Sequence, residues 1–140
     1  MPGPTAYLHF NGQCAEALTF YGEALGGKVL MMSKYSEAPP NPDMPAVPAH
    51  WIMHGRLQWP NGGMLMGSDG GMEPYAGIKG VSLSVNCSDV AEGERVFRAL
   101  AVGATVKMPF APTFWSPGFG MLVDRFAVPW MVNVEAPTPA

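Results

Sequence analysis

At 140 residues the chain has the length of one ordinary domain, long enough to bury a core of its own. Apolar residues make up 48%, which excludes a disordered chain, and a net charge of −3 gives no electrostatic footprint for nucleic acid. No Lys/Arg run marks a membrane surface, and no apolar stretch is long enough to span a bilayer. The opening MPGPTAYLHF lacks a charged region leading into a long apolar stretch, so no signal peptide is expected. Cys14 and Cys87 are far apart and have no CxxC spacing. They are expected as buried free thiols in a reducing cytoplasm.

In chain order, residues 5–10 form a strand candidate that Asn11-Gly12 breaks, with Asn11 placed to cap a helix. Apolar residues then recur at Cys14, Ala17/Leu18, Tyr21 and Ala24/Leu25, the spacing of an amphipathic helix that Gly26-Gly27 ends. Residues 28–35 continue as a strand. Residues 36–48 hold five prolines and are expected as a long loop. From 49 to 59 the pattern alternates, with Trp51, Met53, Leu57 and Trp59 on one face and Ile52, His54, Arg56 and Gln58 on the other. Pro60-Asn61-Gly62-Gly63 turns the chain into a strand over 64–68, and 69–77 reads as loop.

A second alternation covers 80–86: Val81, Leu83 and Val85 are apolar, Ser82, Ser84 and Asn86 polar. Ser88 or Asp89 then caps a helix with the stripe Val90, Val96/Phe97, Leu100/Ala101, ended by Gly103. A strand is expected over 104–108 and a loop bearing Phe114 and Trp115 over 111–117. Two short apolar runs, 120–123 and 130–134, flank Asp124-Arg125 and read as a closing hairpin, with a local ion pair in its turn. The tail, 135–140, is expected to fray. The 17 glycines and 15 prolines suit short strands joined by turns; the 11 methionines suit either a core or an adaptable apolar surface.

A weak internal repeat underlies this order. ALGGKVLM (24–31) lies over AVGATVKM (101–108) at an offset of 77, and Phe20 meets Phe97. The chain reads as two βαβββ modules, about 5–68 and 78–134, each a sheet with one helix-covered face. The expected fold class is α+β: one domain over 1–140, with two curled mixed sheets around a cleft.

The segments YLHFNGQCAEALTFYGEALGG (7–27), HGRL (54–57) and FWSPGFGMLVDRFAVPWMVNV (114–134) resemble the vicinal oxygen chelate superfamily. That superfamily includes glyoxalase I, bleomycin-resistance proteins and extradiol dioxygenases; within it, the chain looks most like the PhnB-like group. The resemblance implies a glyoxalase-like fold and paired modules, but no assigned reaction. Some relatives are labelled ubiquinone-pathway methyltransferases. A methyltransferase of the usual kind needs a glycine-rich strand-to-helix loop, and residues 67–71 lead into no clear amphipathic helix.

Superfamily enzymes hold a divalent metal through His, Gln or Glu on the first and last strands of each module. Matching this sequence to that pattern puts the ligand positions at Ala6, Met66, Gly80 or Ser82, and Met131, none a usual ligand. A shifted register brings in His9, Ser68 or Glu135, but not all three together without breaking strand parity. The expectation is therefore no cofactor, with a divalent metal as the alternative. No spacing specific to nucleophilic catalysis is present.

The candidate ligand pocket is His54, Arg56, Ser82, Ser84, Trp115, Phe119, Met131 and Asn133. Arg56 could fork onto a carboxylate or phosphonate, or its face could meet solvent or a partner subunit. Phe114, Trp115 and Phe119 could rim an apolar cleft, or Met and Trp could fill it. Two functions stand: a metal-free homodimer of the bleomycin-resistance type that binds a small organic molecule, or a metal-dependent lyase, isomerase or dioxygenase using His9, His54 or Glu135.

Overall fold

The computed structural model describes residues 1–44, 46–71 and 74–136. Pro45 of the proline-rich loop, Met72 and Glu73 of the expected loop 69–77, and the tail beyond residue 136 lie outside the described residues. The chain divides into two units, Met1–Gly77 and Ile78–Ala140.

In the first unit, the bend at Asn11-Gly12 ends β1 (Ala6–Phe10), and the apolar spacing beyond it winds into α1 (Cys14–Leu25). That helix buries Cys14, Ala17, Leu18, Tyr21 and Ala24, as its sequence stripe predicts. Gly26 closes it in the left-handed conformation at φ 76°, where a side chain would be strained. β2 (Lys28–Lys34) leads into a single 3₁₀ turn, Tyr35–Glu37. The rest of the described proline-rich segment up to residue 48 holds no helix or strand, because proline removes the N–H that either would need. β3 (Ile52–Gln58) and β4 (Met64–Asp69) complete a four-stranded sheet of order β1-β4-β3-β2, with β1 and β4 parallel.

The alternation expected for residues 49–59 fails at one point. Ser33 pairs with His54 but the next residue, Lys34, pairs with Ile52. β3 thus carries an extra residue there, and the bulge inverts the parity of the residues before it. Ile52 joins the core at 3% exposure instead of sharing a face with His54.

In the second unit, β5 (Leu83–Cys87), α2 (Val90–Leu100), β6 (Thr105–Ala111), β7 (Phe119–Val123) and β8 (Pro129–Val134) repeat the pattern in the order β5-β8-β7-β6. β5 starts later than expected: Val81 stands outside it at 60% exposure, and Ser82 is likewise outside and exposed. β6 runs three residues further than expected, through Pro109. It is an edge strand with a register shift between Met108 and Ala111, which is where a residue lacking an N–H can be tolerated. The closing hairpin forms as expected, with Trp130, Val132 and Val134 all buried. α2 packs so closely on this sheet that a Cβ at Gly120 would lie 2.6 Å from the Phe97 ring.

The architecture is therefore α+β, two four-stranded mixed sheets each carrying one helix, and neither sheet closes on itself. No helix among the described residues is long and apolar enough to cross a membrane.

Candidate functional site

The parity of each strand decides which side chains its helix covers. In the first unit Leu8, Phe10, Leu57 and Leu65 face α1 and are buried. The alternate positions line the helix-free face. Tyr7 lies opposite Met66, Met66 opposite Arg56, and Arg56 opposite Met31, one row across all four strands. The next row places His9 opposite Ser68 and, on the far side, His54 opposite Ser33.

Three of these side chains form a connected array. The Arg56 Nε donates to His54 Nε2 at 3.3 Å, and Tyr7 Oη and His54 Nδ1 are 3.1 Å apart. The Tyr7 ring stacks on His54 with centroids 5.7 Å apart at 20°, and its neighbour His9 lies 5.2 Å away on the same strand. His54 and Arg56, both singled out by sequence, are thus brought together. Sequence reasoning misses Tyr7 as a site residue, although its alternation with Leu8 and Phe10 already places it on the polar side of β1.

The frame under this face depends on a residue that the sequence pattern assigns to a loop. Asp69 is the last residue of β4 and is 1% exposed. Its Oδ1 accepts from the backbone N–H groups of Gly12 and Cys14, both at 2.9 Å, and its Oδ2 from Ile52 N–H at 3.0 Å. The cap expected from Asn11 does not form: the N-cap residue is Gln13, without a side-chain bond, and Asp69 supplies the carboxylate from across the sheet. Beside it, burial first and the Asp69 charge second push the Cys14 thiol from its ordinary 9.0 up to about 12. Burial likewise raises Cys87, to about 11. Both are free and buried, as the sequence suggests, and neither is a thiolate near neutrality.

In the second unit the helix-free face carries Ser84 opposite Met131, Asn86 opposite Asn133, and Phe119 opposite Asn133. The Asn133 Nδ2 lies 3.4 Å from Asn86 Oδ1, and the buried Asn133 Oδ1 has no partner among the described residues. Trp115 stacks edge-on against Phe119 at 5.3 Å and against Phe114 at 4.9 Å. Phe114 stands 97% exposed at the outer end of this ladder, while Phe119, expected as rim, is buried at 7%. Ser116 fixes the loop through its Oγ, which lies 2.7 Å from both the Gly118 and the Val134 carbonyl oxygens, its one proton shared between them, and accepts from Gly118 N–H at 3.1 Å. Ser82 lies just before β5 and is exposed.

Asp124, expected only as one half of a local ion pair, organises the turn through hydrogen bonds. Its Oδ1 accepts from the N–H groups of Phe126 and Val128, and its Oδ2 from the Trp130 indole at 2.8 Å. The turn it organises passes through Ala127 at φ 67°.

The positions matched to a metal site also sort differently. Ala6 has the parity of Leu8 and Phe10 and so belongs to the helix side, while Tyr7 and His9 occupy the helix-free side of β1. His9 and Ser68 are direct register partners, so parity permits both at once; Gly80 and Ser82 precede β5, and Glu135 lies just past β8, exposed. Among the described residues no three His, Cys, Asp or Glu side chains converge.

Residues 3–133 match the family model described as 3-demethylubiquinone-9 3-methyltransferase. The chain is 32% identical to protein YjdN of Escherichia coli K12, with 95% of each covered. It is 46% identical to protein PA1353 from Pseudomonas aeruginosa, at a TM-score of 0.87 and covering 96% of this chain and 98% of that one. It is 26% identical to the PhnB protein of Bacillus cereus, at a TM-score of 0.79 and covering 95% and 99%. A glyoxylase/bleomycin resistance protein/dioxygenase domain from Frankia shares the fold at a TM-score of 0.66, with 13% identity over 97% and 98% of the chains. The family's description names a methyltransferase, yet the sheets here are mixed and separate, and no helix lies between β4 and β5 among the described residues. The chain belongs to the PhnB-like family that this model describes, and it shares the glyoxalase-like fold.

Proposed function

We propose that this protein is a cytoplasmic, metal-free homodimer that binds a small organic molecule on the helix-free faces of its sheets. One observation carries the reading: His54, the imidazole best placed on its face, is engaged at both nitrogens, one of them by the Arg56 guanidinium. A metal ligand needs a free imidazole lone pair, and a divalent cation beside a guanidinium is repelled. The strand positions where the superfamily holds its metal offer one imidazole, His9, together with hydroxyl, thioether and amide groups. That donor set does not fit a three- or four-ligand divalent site. It does suit a ligand with an apolar body and a few polar anchors. The first sheet offers Met66 for the body and Arg56 as anchor; the second offers Met131, with Ser84 and Asn133 as anchors. Exposed Leu30 and Met31 on edge strand β2, and Val106 and Met108 on edge strand β6, support pairing with a second copy.

The second reading, a metal-dependent lyase, isomerase or dioxygenase, is favoured by His9 and His54 flanking the same Tyr7 ring. Quenching of tryptophan fluorescence by a panel of small aromatic acids and amides, with and without EDTA, separates the two. Binding that is unchanged by EDTA is expected. Binding lost in EDTA and restored by Mn²⁺ would contradict the metal-free reading and support the second.

A further inference from the structure

We propose that Tyr7 is the terminal donor of a polarised array, Arg56–His54–Tyr7, and that the array selects an organic oxyanion. The inference rests on the small-molecule-binding reading and gives its ligand a charge class and a contact atom.

The one group whose protonation is fixed sets the direction of the rest. Arginine stays charged, and its Nε can only donate. Arg56 Nε donates to His54 Nε2, so that nitrogen carries a lone pair and no proton. The neutral ring therefore holds its proton on Nδ1. Nδ1–H donates to the Tyr7 oxygen 3.1 Å away. With its oxygen already accepting, the Tyr7 hydroxyl proton is directed away from His54, onto the helix-free face. Each link polarises the next, which makes the phenol a better donor than an isolated one.

The surroundings set the sign of the group it meets. No strand residue of this face is acidic, and Lys28, opposite Gln58, adds a second cation to that of Arg56. Only the Nε of Arg56 is used within the described residues, which leaves its terminal nitrogens to donate. Tyr7 and Arg56 lie in one row with Met66 between them and Met31 beyond. A carboxylate, phosphonate or enolate held between the phenol and the guanidinium would lay its apolar body along these thioethers.

His54 is a positioning residue here, since it acts through Tyr7. The full-length protein would be titrated by calorimetry with benzoate, phenylphosphonate and neutral benzamide. Long-range ¹H–¹⁵N correlation of the histidine rings would be recorded in parallel. The expected result is an unprotonated Nε2 on His54 and benzamide at least about tenfold weaker than the two anions. Tyr7→Phe, which keeps the ring, is expected to weaken anion binding about tenfold, as loss of one hydrogen bond to a charged acceptor does. His54→Leu should do the same, and His54→Gln should recover part of the loss, because an amide can accept from Arg56 and donate to Tyr7. Equal binding of benzamide and benzoate would overturn the oxyanion class while leaving the binding reading in place. A proton on Nε2, or an unaffected Tyr7→Phe, would overturn the array. No binding of any of the three probes would bring down the inference and the binding reading together.

Discussion

The two helices solve the same problem by different means. Each begins with backbone N–H groups that have no partner inside the helix. At α2 the answer is local: Asp89, immediately before the first turn, accepts from Glu92 N–H at 2.8 Å. At α1 it is remote: Asp69, 55 residues further along the chain than Cys14, takes the Gly12, Cys14 and Ile52 N–H groups at once. The local cap serves one helix. The remote one ties the start of α1, the end of β4 and the start of β3 into a single buried joint, under the sheet that carries Tyr7, His54 and Arg56. The second unit builds its own buried joint elsewhere, around Asp124 in the final hairpin.

The contrast can be broken at several points. The largest effect is expected from Asp69→Ala, which leaves three buried N–H groups unpaired and should cost about 3 kcal/mol or more in chemical denaturation. Asp69→Asn keeps an acceptor and should lose roughly half as much. Asp124→Ala strands two backbone donors and the Trp130 indole and should cost about 2–3 kcal/mol, with a change in tryptophan fluorescence.

The pH dependence reads the same joint. Below pH 9 the Cys14 thiol is protonated whether the chain is folded or not, and it adds no slope. Between 9 and about 12 the unfolded chain gives up a proton that the folded one keeps, so stability falls as pH rises. Cys14→Ala should flatten that part of the stability–pH curve. Asp89→Ala, at an exposed local cap, should cost only about 1 kcal/mol. The smallest effect is expected at the left-handed Ala127, where Ala127→Gly should raise stability by less than about 1 kcal/mol.

Legibility tracks the range of the forces involved. The helices, Asp89 and the closing hairpin are readable because spacing, capping and turn chemistry act over a few residues. Asp69 is not, because nothing near it in sequence announces donors from Gly12 and Ile52. Alternation assigns Ile52 to the wrong face because a bulge depends on the partner strand, Ser33-Lys34, and leaves no mark in the pattern of β3 itself. His54 and Arg56 stand out as polar residues two apart on a strand. Tyr7 does not, since only the register of β1 on β4 and of β4 on β3 brings it into the row of Arg56, beside His54. The late start of β5 leaves Ser82 outside the strand for a similar reason: alternation continues past the point where hydrogen-bonded pairing stops.

The most direct measurement is a native mass spectrum of the protein purified without a metal-affinity tag. The predicted result is a dimer mass with no divalent ion, and any retained organic adduct is expected to be anionic. A dimer carrying one divalent ion per subunit, lost when His9 and His54 are replaced by alanine, would contradict the metal-free binding reading.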